Sequence, residues 1–458
     1  MRRFDSIVIG AGQAGPSLAS RLAAAGQTVA IVERKLFGGT CVNTGCTPTK
    51  TLIASAHTAH VARRAADYGV HVPGPISFDL ARAKARADAI VGASREGLES
   101  SLRQTERCTV IRGHARFVSP DTVTVNDEQI SAERIFINVG GRARVSGIDG
   151  VANVPYLTNS SVLALEQVPR HLVLIGGGPV GLEFAQMYRR FGSDVTIIEK
   201  SRRLLAHDDE DVSVAVTEIL ESEGIHVRVG AECIALAPDR EGVTVTLVCE
   251  SGDRAVTGSQ VLLAVGRQPN TDDLGLDRAG VAVDRHGYIV VDEFLRTSVA
   301  GIWALGECNG RGAFTHTAYN DYEIVAANLL DDDRRKVTDR IEAWAIYLDP
   351  PLGHVGLNED GARKTGRAHL VAKRPMTRVS RAIEKGETRG FMKAIVEAET
   401  NRIVGATILG TDGDEAIHSI LYAMYAGATA RTLTRSVGIH PTVSELLPTL
   451  LGDLRPLT

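Results

Sequence analysis

Apolar residues along this chain fall into short β-type clusters, separated by glycine turns and by longer stretches with helical spacing. Residues 5–34, DSIVIGAGQAGPSLASRLAAAGQTVAIVER, open on Ile7, Val8 and Ile9, turn through glycines, and run on as an Ala/Leu-rich helix. They return in a second apolar run that ends at Glu33. The pattern predicts strand, turn, helix, strand. The same order recurs at 171–200, HLVLIGGGPVGLEFAQMYRRFGSDVTIIEK, and ends at Glu199. A charge-rich stretch at 79–106 reads as a helix with a solvated face, residues 109–125 as a meander, and 243–249 as an alternating strand. The tract DDDRRK at 331–336 reads as an exposed connection between domains. Beyond it, FMKAIVEAETNRIVGATILG predicts two strands with a turn near Thr400 and Asn401. Helices are expected near 414–428 and 443–450, so 335–458 forms a separate α+β domain.

The two glycine turns carry the first chemistry. Gly10, Gly12 and Gly15 follow the first strand, and Gly176, Gly178 and Gly181 follow its counterpart. Glycines allow the tight turn and let backbone approach a pyrophosphate at a helix N-terminus, while Glu33 and Glu199 stand where a carboxylate accepts from a ribose. Two such units in one chain make sense if hydride passes between two dinucleotides, a flavin and a nicotinamide. Glu199 suits the free 2′-hydroxyl of NADH; Arg202 and Arg203 keep NADPH possible.

Composition narrows the class. The 458 residues leave room for several domains, and 44% hydrophobic with 23% charged residues is ordinary for a globular protein. A net charge of −4 offers no general attraction to nucleic acid or an anionic membrane. No run reaches the roughly 18 apolar residues of a membrane helix. The N-terminal MRRFDSIVIG is read as a first strand rather than a leader, because Asp5 interrupts the apolar run, and a cytoplasmic protein is expected.

Six cysteines are too few for a disulfide scaffold. Cys108, Cys233, Cys249 and Cys308 stand alone and read as small buried hydrophobes. Cys41 and Cys46, in GGTCVNTGCTPTK, are close neighbours: half a metal site, a staple or a redox couple. No second close cysteine or histidine pair supplies further zinc ligands, and His57 and His60 read as partly exposed helix residues. The redox reading leads.

GAGQAG, GGTCVNTGCTPTK, GGGPVGLE, AVGRQPNT, GIWALGECNG and HPTVSE, in this order, resemble the flavoprotein pyridine nucleotide-disulfide oxidoreductases, among them glutathione reductase, dihydrolipoamide dehydrogenase and mercuric reductase. The resemblance covers the whole chain and implies an α/β fold of two Rossmann-like domains, for FAD and NAD(P), with a C-terminal α+β dimerisation domain. The implied divisions are 1–149 and 268–334 for FAD, 150–267 for NAD(P), and 335–458 for the interface.

Roles follow by the same resemblance. Cys46 is the charge-transfer thiolate beside the flavin and Cys41 the interchange thiol. Lys50 sits by flavin N5, paired with Glu183. Gly39, Thr40, Ala115, Gly140 and Arg267 line the FAD. Glu307 replaces the aspartate that usually bonds the ribityl chain, one methylene longer. His440 and Glu445 form an acid/base dyad supplied by the partner of a homodimer. NAD(P)H then reduces the flavin, electrons pass to the Cys41–Cys46 disulfide, and Cys41 with His440 as base reduces an external disulfide, dithiol partner or metal ion. Mercuric reductases carry a tyrosine where His440 stands and a C-terminal cysteine pair, whereas this sequence ends GDLRPLT with no cysteine after Cys308. Disulfide chemistry is therefore preferred. A metal-ion or quinone reductase and a non-catalytic redox-sensing flavoprotein are the alternatives.

Overall fold

The computed structural model describes residues 1–145, 147–248 and 254–457, without the side chains of Cys233 and Val248. Cys249, and the side chain of Cys233, lie outside this description, so their expected burial does too.

The first glycine unit folds as β1 (Arg2–Ile9), α1 (Gly15–Ala24) and β2 (Val29–Glu33). The cysteine segment follows as α2 (Gly39–Thr44) and α3 (Cys46–Arg63), then α4 (Leu80–Gln104). β3 (Cys108–Arg112), β4 (Ala115–Ser119), β5 (Thr122–Val125) and β6 (Glu128–Ile137) complete the sheet in the order β3-β2-β1-β6-β5-β4, with Ile302–Ala304 added beside β6. β1 pairs in parallel with β2 and β6, placing Ile7 opposite Ala30 and Ile135. The expected meander at 109–125 is only partly right. β4 and β5 run antiparallel onto β6, but β3 joins β2 in parallel and belongs to the half that carries the first glycine turn.

The second unit repeats the design. Gln260–Leu263, His171–Ile175, Asp194–Ile198 and His226–Arg228 form a four-stranded parallel sheet, flanked by α5 (Pro179–Phe191) and α6 (Glu210–Ser222). Its strands are apolar on both faces, with Leu172, Val173 and Leu174 fully buried, as expected for a parallel sheet between layers.

The repetition extends to backbone detail. Gly10 has φ +106° and Gly176 φ +116°, and a Cβ on either would stand 2.3 Å from a carbonyl oxygen, of Asn138 and Ala264 respectively. Cβ atoms on Gly15 and Gly181 would lie 2.1 and 2.2 Å from the carbonyls of Gly10 and Gly176. Only glycine permits helix and strand to approach this closely.

The C-terminal part is a six-stranded antiparallel sheet, with strands Phe391–Glu397 and Ile403–Leu409 at its centre and helix Gly413–Tyr425 on one face. The turn at Thr400–Asn401 lies where expected, with Asn401 at φ +58°. The helix expected at 443–450 is a 3₁₀ turn, Ser444–Leu446, followed by the short helix Leu447–Gly452. The tract 331–336 is largely exposed, yet Asp331 pairs with Arg21 and Lys336 with Glu293. Among the described residues no helix is long and apolar enough to cross a membrane.

Candidate active site

The cysteine loop is pressed onto the first glycine turn. Gly38 and Gly39 take positive φ, and a Cβ on Gly39 would meet the Cα of Gly12 at 2.9 Å. Gly45 ends α2, and Cys46 then begins α3, an 18-residue helix. A thiol at a helix N-terminus feels the positive end of the macrodipole, which favours thiolate.

Local contacts push the same way. The hydrogen bond from Cys41 is the largest influence holding the Cys46 thiol down, to about 5, with help from Thr315 and the Lys50 charge. Thr315 Oγ1 lies 3.4 Å from Cys46 Sγ. Cys41 is pushed well above the thiol range by that same bond and by burial. The two opposite shifts describe one shared proton that stays on Cys41 while Cys46 carries the charge.

One helical turn past Cys46, Lys50 Nζ donates to Glu183 Oε2 at 2.6 Å. Glu183 is buried on α5, the helix of the second glycine unit, and its other oxygen accepts from the Tyr347 N–H at 2.9 Å. Three parts of the chain therefore meet at this ion pair.

Each glycine unit presents the same carboxylate geometry. Glu33 accepts from the N–H of Ala11 at 2.8 Å and of Lys35 at 2.7 Å; Glu199 accepts from Gly177 and Ser201, both at 2.6 Å. Arg203 is turned away, donating to the carbonyls of Ala206 and Asp208, and Arg202 is exposed.

His440 and Glu445 stand together, with His440 Nδ1 3.0 and 3.1 Å from the two carboxylate oxygens. The imidazole is 71% exposed. It is not among the leading groups acting on Cys41 or Cys46 of its own chain.

The pyridine nucleotide-disulphide oxidoreductase family matches residues 4–321, and its dimerisation domain matches residues 343–451. This chain belongs to that family. A probable pyridine nucleotide-disulfide oxidoreductase of Escherichia coli, RclA, is 34% identical over 99% of both chains. A mercuric reductase of Streptomyces lividans is 33% identical over 97% of this chain and 94% of its own. A dihydrolipoyl dehydrogenase of Thermus scotoductus is 33% identical over 97% and 96%. The structure of the Cu(II) complex of the HOCl-induced flavoprotein disulfide reductase RclA superposes with a TM-score of 0.89 at 33% identity, covering 99% of each chain.

Pyridine nucleotide-disulphide oxidoreductases depend on FAD and use pyridine nucleotides, and the backbone and glycines here fit a dinucleotide lying alongside the first glycine turn and the cysteine loop packed on it. A Cβ on Gly140, at φ +61°, would enter open space, as would one on Gly178 in the second unit. Asn43, between the two cysteines, donates to the carbonyls of Phe37 and Gly39, while its own buried Oδ1 has no partner. Ala115 is buried at the start of β4 and has only backbone to offer a ligand. The longer Glu307 reaches Arg267, which donates from Nη2 at 2.9 Å and also to the carbonyl of Gly141 at 2.8 Å. A Cβ on Gly141 would lie 2.7 Å from the Glu307 carboxyl carbon, so the Glu307 carboxylate occupies space that glycine leaves.

Other charged clusters are structural. His57 pairs with Asp349 rather than with His60 or the cysteines. Asp209, Asp211 and Glu359 converge as metal ligands would, but Lys393 Nζ fills their centre at 2.6 to 2.8 Å. Cys308 is buried against the carbonyls of Ile137 and Leu305, and burial pushes its thiol up to about 12. Thr315, Tyr347 and Asn43 were missed by the sequence reading. The first two are far from the cysteines in the chain, and no local pattern marks them; Asn43 stands inside the cysteine motif, where its position between Cys41 and Cys46 is the available signal.

Proposed function

We propose that this protein is an NADH-dependent flavoprotein reductase in which Cys41 and Cys46 pass electron pairs to a small disulfide. The observation that carries this reading is the cysteine pair at the N-terminus of α3, with Thr315 Oγ1 3.4 Å from Cys46 Sγ and the Lys50–Glu183 pair one helical turn on, surroundings that favour thiolate at Cys46 over Cys41. Bound FAD and nicotinamide would supply hydride transfer and renew the dithiol; the residues above would hold them, residues 1–149 and 268–334 for FAD and 150–267 for the nicotinamide.

The chain's own groups divide the remaining work. The Glu183 carboxylate keeps Lys50 oriented. Cys41, whose proton is tightly held, needs a base to become a nucleophile. That base is His440 of a second copy, with Glu445 fixing its Nδ1 so that Nε2 accepts the proton. Cys41 thiolate then attacks the substrate disulfide, forming a mixed disulfide and releasing one thiolate. Cys46 attacks Cys41 sulfur, the second substrate thiolate leaves with the proton from His440, and the Cys41–Cys46 disulfide closes. The substrate gains the two electrons that the dithiol loses.

A homodimer through 335–458 is supported by the apolar surface around the dyad, where Val437 is 96% and Ile439 80% exposed. NADH over NADPH is supported by the anchored Glu199 and the averted Arg203. A thiolate cycle suits a reducing, cytoplasmic setting.

A second reading, reduction of metal ions, is favoured by the Cu(II) complex formed by the similar RclA. Both readings are tested by following NADH and NADPH oxidation with lipoamide, glutathione disulfide, other small disulfides, Cu(II), Hg(II) and quinones. Disulfide-dependent turnover with NADH, abolished in Cys41→Ala, is expected. Full activity of that variant with every acceptor removes the dithiol from the path.

A further inference from the structure

Tyr347 touches both members of the Lys50–Glu183 pair. It continues the strand Ala343–Ile346, and its neighbours Ile346 and Leu348 are buried at 0% and 3%, so the alternation turns Tyr347 the other way. Its N–H donates to Glu183 Oε1 at 2.9 Å, while Glu183 Oε2 accepts from Lys50. Its ring lies beneath the same ammonium, with the centroid 4.7 Å from Lys50 Nζ.

The strap carrying Tyr347 is fixed two residues on. Asp349 N–H donates to Gln186 Oε1 at 2.8 Å, Gln186 Nε2 returns a bond to the Asp349 carbonyl at 2.9 Å, and Arg190 Nη1 donates to the Asp349 carboxylate at 2.6 Å. Glu183, Gln186 and Arg190 lie at i, i+3 and i+7 on α5, one face of the helix. These bonds hold the strap in register along α5. The Lys50 side chain is 32% exposed, so one carboxylate contact leaves its charge free to swing toward water. The ring face removes that freedom.

We infer that Tyr347 is a positioning residue for Lys50, its ring face setting where the ammonium stands while its N–H holds Glu183. The inference rests on the proposed placement of Lys50 beside the flavin. The test replaces Tyr347 by phenylalanine and then by mono-, di- and trifluorophenylalanine, in the FAD-loaded protein. Fluorination drains the negative face of the ring while leaving its shape unchanged. Tyr347→Phe should match the parent. Across the fluorinated series the limiting rate of reduction by NADH should fall steadily, roughly tenfold by the trifluoro ring, with Tyr347→Leu at least as slow. The flavin midpoint potential, set with a chemical reductant, should drift downward in the same order. A flat potential across the series overturns the inference, whether or not NADH reduces the parent. Failure of NADH to reduce the parent counts against the proposed function alone.

Discussion

Replacing Cys41 by alanine or by serine separates the causes of the Cys46 thiolate. In the parent, the bond from Cys41 is the largest influence, ahead of Thr315 and Lys50, on a thiol lowered from 9.0 to about 5. Serine keeps a donor at that position and alanine does not. A hydrogen bond to a charged group is worth about 1.5–3 kcal/mol, and solvent at exposed Cys46 places this one at the lower end. At about 1.4 kcal/mol per unit, Cys41→Ala should raise the Cys46 pKa by about 1 unit, while Cys41→Ser stays near the parent value. The long-wavelength thiolate-to-flavin absorbance of each loaded variant, followed from pH 4 to 9, gives the midpoint directly. The pH dependence of alkylation by iodoacetamide checks it independently. Coincident midpoints for the two variants, or midpoints near 9 in both, would refute the proton-sharing account.

Three further outcomes follow from other sites. His440→Ala should slow disulfide reduction by about 10²–10⁴-fold while leaving reduction by NADH intact in stopped flow; equal loss in both half-reactions would contradict a role confined to Cys41. Lys393→Met leaves Asp209, Asp211 and Glu359 facing one another without their buried counter-ion, and should cost about 3–5 kcal/mol in thermal or urea unfolding. An unchanged midpoint would show that the cluster hydrates or protonates at no cost. Burial, then the neighbouring Asp209 charge, push Asp208 from 3.8 up to about 7. A carboxyl raised in the folded state binds its proton more tightly there, so its contribution to stability is present below about pH 4 and is lost as pH rises toward 7. Asp208→Asn should therefore be about 1–2 kcal/mol more stable than the parent at pH 8 and equal to it at pH 4; equal stability at both pH values would exclude the shift.

Local pattern carried much of the architecture, because each signal lay within a few residues. Gly10, Gly15, Gly176 and Gly181 announce two strand–turn–helix units through backbone conformations and approaches that only glycine tolerates. The apolar runs of β1 and of His171–Ile175 mark buried parallel strands, and Gly45 between the two cysteines separates their helices. Pairing partners are not written locally, which is why the pattern of 109–125 predicts a meander although β3 closes the parallel sheet beside β2.

The site divides in the same way. The spacing from Cys46 to Lys50 places both on one face of α3. Glu183 as the partner of Lys50 came from the family resemblance, and its distance of 133 residues makes the pairing a product of tertiary packing. Thr315 beside Cys46 depends on how the helix Thr315–Leu330 meets α3, and Tyr347 beneath Lys50 on how α3, α5 and the strand at 343–346 come together. The split has a physical basis. Turns, helix faces, strand alternation and the Cys41–Cys46 pairing are set at short range where a sequence displays them, whereas the Thr315 hydroxyl beside Cys46 and the Glu183 and Tyr347 groups that orient Lys50 are brought close only by the packed chain.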